Sequence, residues 1–203
     1  TEQPLLSDIH YVRKALEPFA TISEGELTDL IDENPDAIIL TDIGQIDGVS
    51  REAVEQWIED GGALIRFAGP RMAGPQAMAG SDDLVPAPLR RSSRAIGGTL
   101  TWEAPQPLGT FPETSPFAGL LPPEDIRVRQ QGLARPGPEL TRRTWARLAD
   151  GSPLVTADRR GEGTLILFHV TAGPDWSDLP YAGVFVDMLR RSIAAGRGEA
   201  ISD

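Results

Sequence analysis

Apolar positions along the chain keep two spacings, and each change of spacing marks a new element. From Ile9 through Val12, Leu16 and Phe19 they recur every three to four residues, which predicts a helix with one buried face. Ser7 is placed to cap it and Pro18 to end it. Phe19 to Ile22 reads as a short edge strand, and Glu24 to Asp32 as a short acidic helix with Leu27, Leu30 and Ile31 facing inward. Asp36 to Asp42 then carries the continuous run Ala37-Ile38-Ile39-Leu40, the pattern of a strand buried on both faces. Helical spacing returns in Val54, Trp57 and Ile58, behind Ser50 as cap, with Val49 and Val54 spaced as a hydrophobic staple. Gly61-Gly62 supplies a left-handed stop, and Ala63 to Phe67 follows as a second buried strand. Strand, helix and strand in this order predict a right-handed βαβ unit of a parallel sheet.

The pattern loosens after Phe67. Pro and Gly recur between residues 69 and 123, and the strand signal there is confined to Gly98-Thr99-Leu100-Thr101-Trp102, so an insertion or sheet-edge excursion is expected over about 70–123. Alternating strands are predicted over Asp125 to Leu133 and Thr144 to Leu148. Ala149-Asp150-Gly151-Ser152 is a hairpin turn, Pro153 to Ala157 pairs back, and Asp158 to Gly163 is a second turn. Thr164 to Val170 is a strongly buried strand, and Tyr181 to Ala195 a closing helix with Val184, Phe185, Met188, Leu189 and Ile193 on its apolar face. These antiparallel strands form an extension in the C-terminal third. The 203 residues suit a single α/β domain.

Charge narrows the classes of partner. The net charge is −11, and residues 1–62 hold 15 acids against 3 bases. That distribution argues against nucleic acid, which needs a basic footprint. It serves either as a solvated face or as a docking face for a basic partner. With no cysteine there is no disulfide, thiolate metal site or cysteine nucleophile. No apolar run is long enough to span a bilayer, and the chain opens in the manner of an excerpt from a longer protein.

Val54-x-x-Trp57-Ile58-x-x-Gly61-Gly62-Ala63-Leu64-Ile65-x-Phe67-x-Gly69 resembles the core of class I glutamine amidotransferase-like domains. The tail resembles one branch more closely, through Thr144-Trp-Ala-Arg-Leu-x-Asp150-Gly-x-Pro-Leu-Val, Gly161-x-Gly163-x-Leu-Ile-Leu-Phe-His169-Val-x-Ala and Trp176-Ser-x-Leu-Pro180. That order is similar to the amidotransferase-like domain of bacterial membrane proteins that begin with an aerotolerance BatA-type transmembrane region, a family of unknown biochemical function. The resemblance implies a three-layer flavodoxin-like sandwich with a mostly parallel sheet. It also implies membrane helices outside these residues, exposure on the periplasmic side of the inner membrane and a protein partner in the envelope. Active amidotransferases attack with a Cys on a strand-to-helix elbow, and neither that Cys nor a G-x-S-x-G elbow stands here, so no catalytic residue carries over.

The remaining polar candidates sit where the predicted strands end. Asp42, Arg66, Arg71 and His169 would line a ligand cleft if they converge beyond the carboxyl ends of the parallel strands. The plainer readings are a hydrogen-bonded core histidine and intramolecular ion pairs for the arginines, with Arg90, Arg91 and Arg94 clustered close by. Asp47-Gly48 reads as turn chemistry, and the Asp42/Asp47 spacing does not match a calcium loop. His10 is expected on the solvent side of the first helix, too far from His169 in sequence to suggest a metal site. Asp175 and Trp176 form a candidate interface, or else Trp176 packs under its loop with Ser177 or Asp178 as a cap. No phosphate loop is present, and no cofactor or metal is implied. Two functions stand open: a non-catalytic interaction or sensing domain, and a ligand-binding domain or hydrolase built on the strand-end Asp, Arg and His groups. A structural spacer is a third.

Overall fold

The computed structural model describes residues 8–46, 48–73, 84–95 and 104–196. In chain order the elements are α1 (Asp8–Leu16), α2 (Leu27–Asp32), β1 (Ala37–Thr41), α3 (Gly48–Glu59), β2 (Ala63–Phe67), α4 (Pro70–Ala73), β3 (Leu89–Ala95), β4 (Gln106–Pro107), β5 (Arg127–Val128), β6 (Gln130–Ala134), α5 (Leu140–Arg143), β7 (Thr144–Arg147), β8 (Pro153–Arg160), β9 (Gly163–Phe168) and α6 (Gly183–Gly196). A 3-10 turn at Leu179–Tyr181 leads into α6. The main sheet has the order β1-β2-β9-β8-β7. β1, β2 and β9 run parallel, while β8 and β7 are antiparallel to their neighbours.

Each face of the sheet has its own core. Ile65, Phe67, Ile166 and Phe168 pack with Val12 and Leu16 of α1 and Phe185, Met188 and Leu189 of α6. The Phe67 and Phe168 rings stack at 4.6 Å. On the other face Ile38, Leu40, Leu64 and Leu165 meet Val54, Trp57 and Ile58 of α3, with Leu27 and Ile31 of α2 alongside. The Gly61-Gly62 stop is present, with Gly61 at φ 116° and the Gly62 N–H bonded to the Trp57 carbonyl. A Cβ at residue 62 would fall 2.3 Å from the Trp57 ring, so the stop and the seating of Trp57 depend on the same glycine.

The expected three-layer flavodoxin-like or amidotransferase-like sandwich with a mostly parallel sheet is corrected here. Only two of the four strand pairings are parallel. A doubly wound sheet would draw further strand-helix units from the middle of the chain. Instead the described part of that region forms two separate two-stranded ribbons, β3 with β6 and β4 with β5. The glycine turns at Gly151 (φ 86°) and Gly161 (φ 57°) then fold β7, β8 and β9 back as hairpins, which makes half the sheet antiparallel.

Smaller expectations are corrected as well. Phe19 to Ile22 is exposed irregular chain rather than an edge strand. Helix α3 begins at Gly48, so Ser50 lies inside it, and Val49 is 79 % exposed and staples nothing. β8 continues through Arg160, which shortens the second turn to Gly161 and Glu162. β1 alternates between half-buried and buried instead of being sealed on both faces. The strand expected at Gly98 to Trp102, the cap expected at Ser7 and the turn at Asp47 lie outside the described residues, as do the side chains of Arg91 and Arg94.

Candidate functional site

The parallel strands end side by side, with Thr41 paired to Phe67 and Phe67 to Phe168. Ligands of open α/β sheets bind beyond this edge. Asp42 leaves β1 in the left-handed region at φ 47°, a conformation Asp tolerates better than most residues. Its N–H still bonds the Phe67 carbonyl, while its Oδ1 accepts the Arg71 N–H at 3.0 Å at the start of α4. Burial pushes the Asp42 carboxyl above its ordinary value, against the Arg71 and Met72 backbone donors and the Arg71 charge, which pull it down. The turn at Gly69 brings the backbone hard against this carboxylate: a Cβ at residue 69 would fall 2.2 Å from Asp42 Cγ.

The four candidate cleft residues do not share an opening. Arg66 is 1 % exposed, and its guanidinium donates to the carbonyls of Leu84 (3.0 Å) and Ile43 (2.6 Å), tying two loops to the sheet. His169 is fully buried. Its Nδ1 lies 2.8 Å from the Gly132 carbonyl, which can only accept, so Nδ1 carries the proton and Nε2 accepts from the Thr156 hydroxyl at 2.9 Å. Burial lowers the His169 pKa to about 4, a little offset by the Gly132 bond, so the ring is neutral at pH 7. Asp42 and Arg71 alone of the four meet near the surface. Of the two readings of Trp176 the structure takes the packed one, and the candidate interface is corrected there: its ring belongs to the larger cluster, and its carbonyl accepts from the Arg129 and Gln130 N–H groups. Asp175 beside it is exposed.

Three residues that the sequence did not single out join this edge. Asp8, at the start of α1, lies against Gly173, where a Cβ would fall 2.2 Å from its Oδ1. Its carboxyl is pushed up first by burial and then by the charges of Asp175 and Asp42. Tyr11 and Tyr181 meet edge to face at 5.6 Å. A hydrogen bond to Tyr181 is the main cause that raises the Tyr11 phenol. The acids and tyrosines come from three separate stretches of chain, around residues 8–11, 42 and 175–181, so no local spacing could have announced them. His10 is half-buried, with its ring edge-on to Tyr11. Among the described residues no group of three His, Cys, Asp or Glu is placed to hold a metal ion.

No protein-family model matches the chain, and no curated protein does. Solved structures do. Cytoplasmic protein STM3548 from Salmonella typhimurium is similar at TM-score 0.66 and 12 % identity, over 91 % of this chain and 85 % of that one. Cytoplasmic protein STM1381 from Salmonella typhimurium LT2 gives TM-score 0.61 and 13 % identity, over 93 % and 84 %. A β-galactosidase from Rahnella sp. R3 gives TM-score 0.65 and 12 % identity over 95 % of this chain, but only 27 % of its own. At these identities the likeness shows the fold alone: a mixed α/β domain of the STM3548 kind, in place of the amidotransferase-like sandwich expected from sequence.

Proposed function

We propose that this chain is a non-catalytic interaction or sensing domain of a bacterial envelope protein. The observation that supports it is the packing of Asp42 on Gly69. The turn from β2 into α4 is the place where a strand-to-helix elbow would hold a nucleophile. Here the space of the residue-69 Cβ is taken by the Asp42 carboxylate, which itself is spent on the α4 backbone. The histidine at the strand ends is sealed and bonded through both nitrogens, so it has no free nitrogen to offer as a base. Placement on the periplasmic side of a membrane-anchored parent rests on the resemblance of the tail. No helix among the described residues is long and apolar enough to cross a membrane.

The test is an Asp42→Asn substitution in the intact protein, which keeps an acceptor for α4 and a residue suited to positive φ but removes the charge. In-cell function should be retained. The purified domain should show no thermal shift with divalent cations, glutamine, nucleotides, phosphosugars or peptidoglycan fragments. A ligand at about 100 times its Kd stabilises by about 2.7 kcal/mol, worth several degrees in a domain of this size. A shift of that size that disappears in Asp42→Asn would replace this reading with the ligand-binding one.

A further inference from the structure

We infer that the free edge of β1 accepts an extended basic segment of a partner protein, which adds a sixth strand to the main sheet. The inference rests on the interaction-domain reading above and names its partner class. β1 is the terminal strand of the sheet, and no strand of the described residues pairs with its outer side. Its backbone polarity follows from its bonds on the inner side: the Asp42 N–H donates to the Phe67 carbonyl, and the Asp36 carbonyl accepts from the Ala63 N–H. Even-numbered residues therefore face β2, and the N–H and C=O groups of Ala37, Ile39 and Thr41 face outward.

The strand is composed like an interior one. Ala37-Ile38-Ile39-Leu40-Thr41 contains no charge, Pro or Gly, the devices by which natural sheets blunt an exposed edge. Buried Ile38 and Leu40 and half-buried Ile39 hold it flat against both cores. Such an edge offers a ladder of main-chain donors and acceptors, the basis of recognition by strand addition.

Charge selects the occupant. Residues 24–36, which lead through α2 into β1, contain six acids and no base. Glu26, Asp29, Asp32 and Glu33 are exposed and form no ion pair with the described residues. Helix α2 packs beside α3, its Leu27 and Ile31 join the cluster that holds Ile38 and Leu40, and Asp32 and Glu33 stand within five residues of Ala37, where the open strand begins. A second copy of this chain would bring the same acids against themselves, whereas Lys or Arg at alternate positions of an added strand would face them.

The experiment is titration of the isotope-labelled chain with an eight-residue alternating Lys-Val peptide. Its controls are the matching Glu-Val peptide and a Lys-Val peptide N-methylated at alternate residues. The Lys-Val peptide should move and protect the amides of Ala37, Ile39 and Thr41, and its affinity should fall at least tenfold between low and 0.5 M salt. The Glu-Val peptide should bind at least tenfold more weakly, and the N-methylated one not at all. Ile39→Pro removes one outward N–H without touching the β1–β2 ladder, a position where an edge strand tolerates proline, and should abolish binding. If that variant does not fold, the N-methylated peptide makes the same test on the unaltered chain. Unmoved β1 amides, equal binding by Ile39→Pro, or a dimer of the chain alone that Ile39→Pro dissolves would each overturn the proposal. So would an intact protein in which these amides are already protected. Small-molecule binding lost in Asp42→Asn would instead sink the interaction-domain reading and leave the edge result standing.

Discussion

His169 illustrates how a side chain suited to catalysis is turned to structure. It is buried without charge, and its two nitrogens join β9 to the Gly132 carbonyl on β6 and the Thr156 hydroxyl on β8. The pH dependence follows from its lowered pKa. Unfolded, the ring titrates at 6.5; folded, at about 4. Between those values the unfolded chain binds the extra proton, so stability is full above pH 6.5 and is lost as pH falls toward 4. Denaturant melts should show a loss of about 3 kcal/mol across that window, from the ~1.36 kcal/mol carried by each pKa unit. A His169→Gln variant should be weaker at pH 7 and lack this component. Asp8 and Asp42 act in the opposite sense. Their carboxyls are raised above 3.8, so each contributes stability at the lowest pH that is lost as pH rises through its folded pKa. His169 could be placed at a strand end from sequence. Its burial with a backbone hydrogen bond was the plainer reading of the sequence, but the partners themselves could not be named, because they lie 13 and 37 residues away along the chain.

At the scale of elements, the hairpins of the C-terminal third turn on two glycines that sequence reads alike and structure separates. Gly151 sits at φ 86° with open space where a Cβ would be, so Gly151→Ala should cost about 1 kcal/mol, the backbone term alone. Gly161 sits at φ 57° with a would-be Cβ 2.8 Å from the Glu59 Cα at the end of α3. Gly161→Ala must also push the β8–β9 turn off that helix, and should cost roughly 3 kcal/mol. Thermal melts of the two variants check the difference, and equal losses would contradict the contact. The Asp-Gly turn at 150–151 was legible because its chemistry is local, down to the Ser152 N–H bonded to Asp150 Oδ1. The end of α3 against Gly161 was not, since it joins elements about a hundred residues apart.

Across the whole molecule, Arg66 is the buried charge that holds loops from two parts of the chain onto one sheet. Arg66→Met removes the guanidinium bonds to the Ile43 and Leu84 carbonyls and should loosen both loops. Limited proteolysis should then cut near residues 84–88 while the β2–β9 core persists, and an unchanged digest would show that Arg66 does not hold them. The sequence by itself determined the local units: the β1–α3–β2 crossover, the Gly61-Gly62 stop, the Asp150-Gly151 turn and the last helix. Each follows from periodicity and backbone preference over a short run of chain, the crossover spanning only the 26 positions between Ala37 and Ala63. Only the tertiary structure decided the strand order, how large a share of the sheet is antiparallel, and the edge position of β1 among the described residues, because an apolar run reports that side chains are buried and not which strand lies beside them. Only the tertiary structure decided the candidate site as well. It sealed Arg66, His169 and Trp176 and gathered Asp8, Tyr11 and Tyr181 around Asp42 and Asp175, since burial and proximity there depend on segments far apart along the chain.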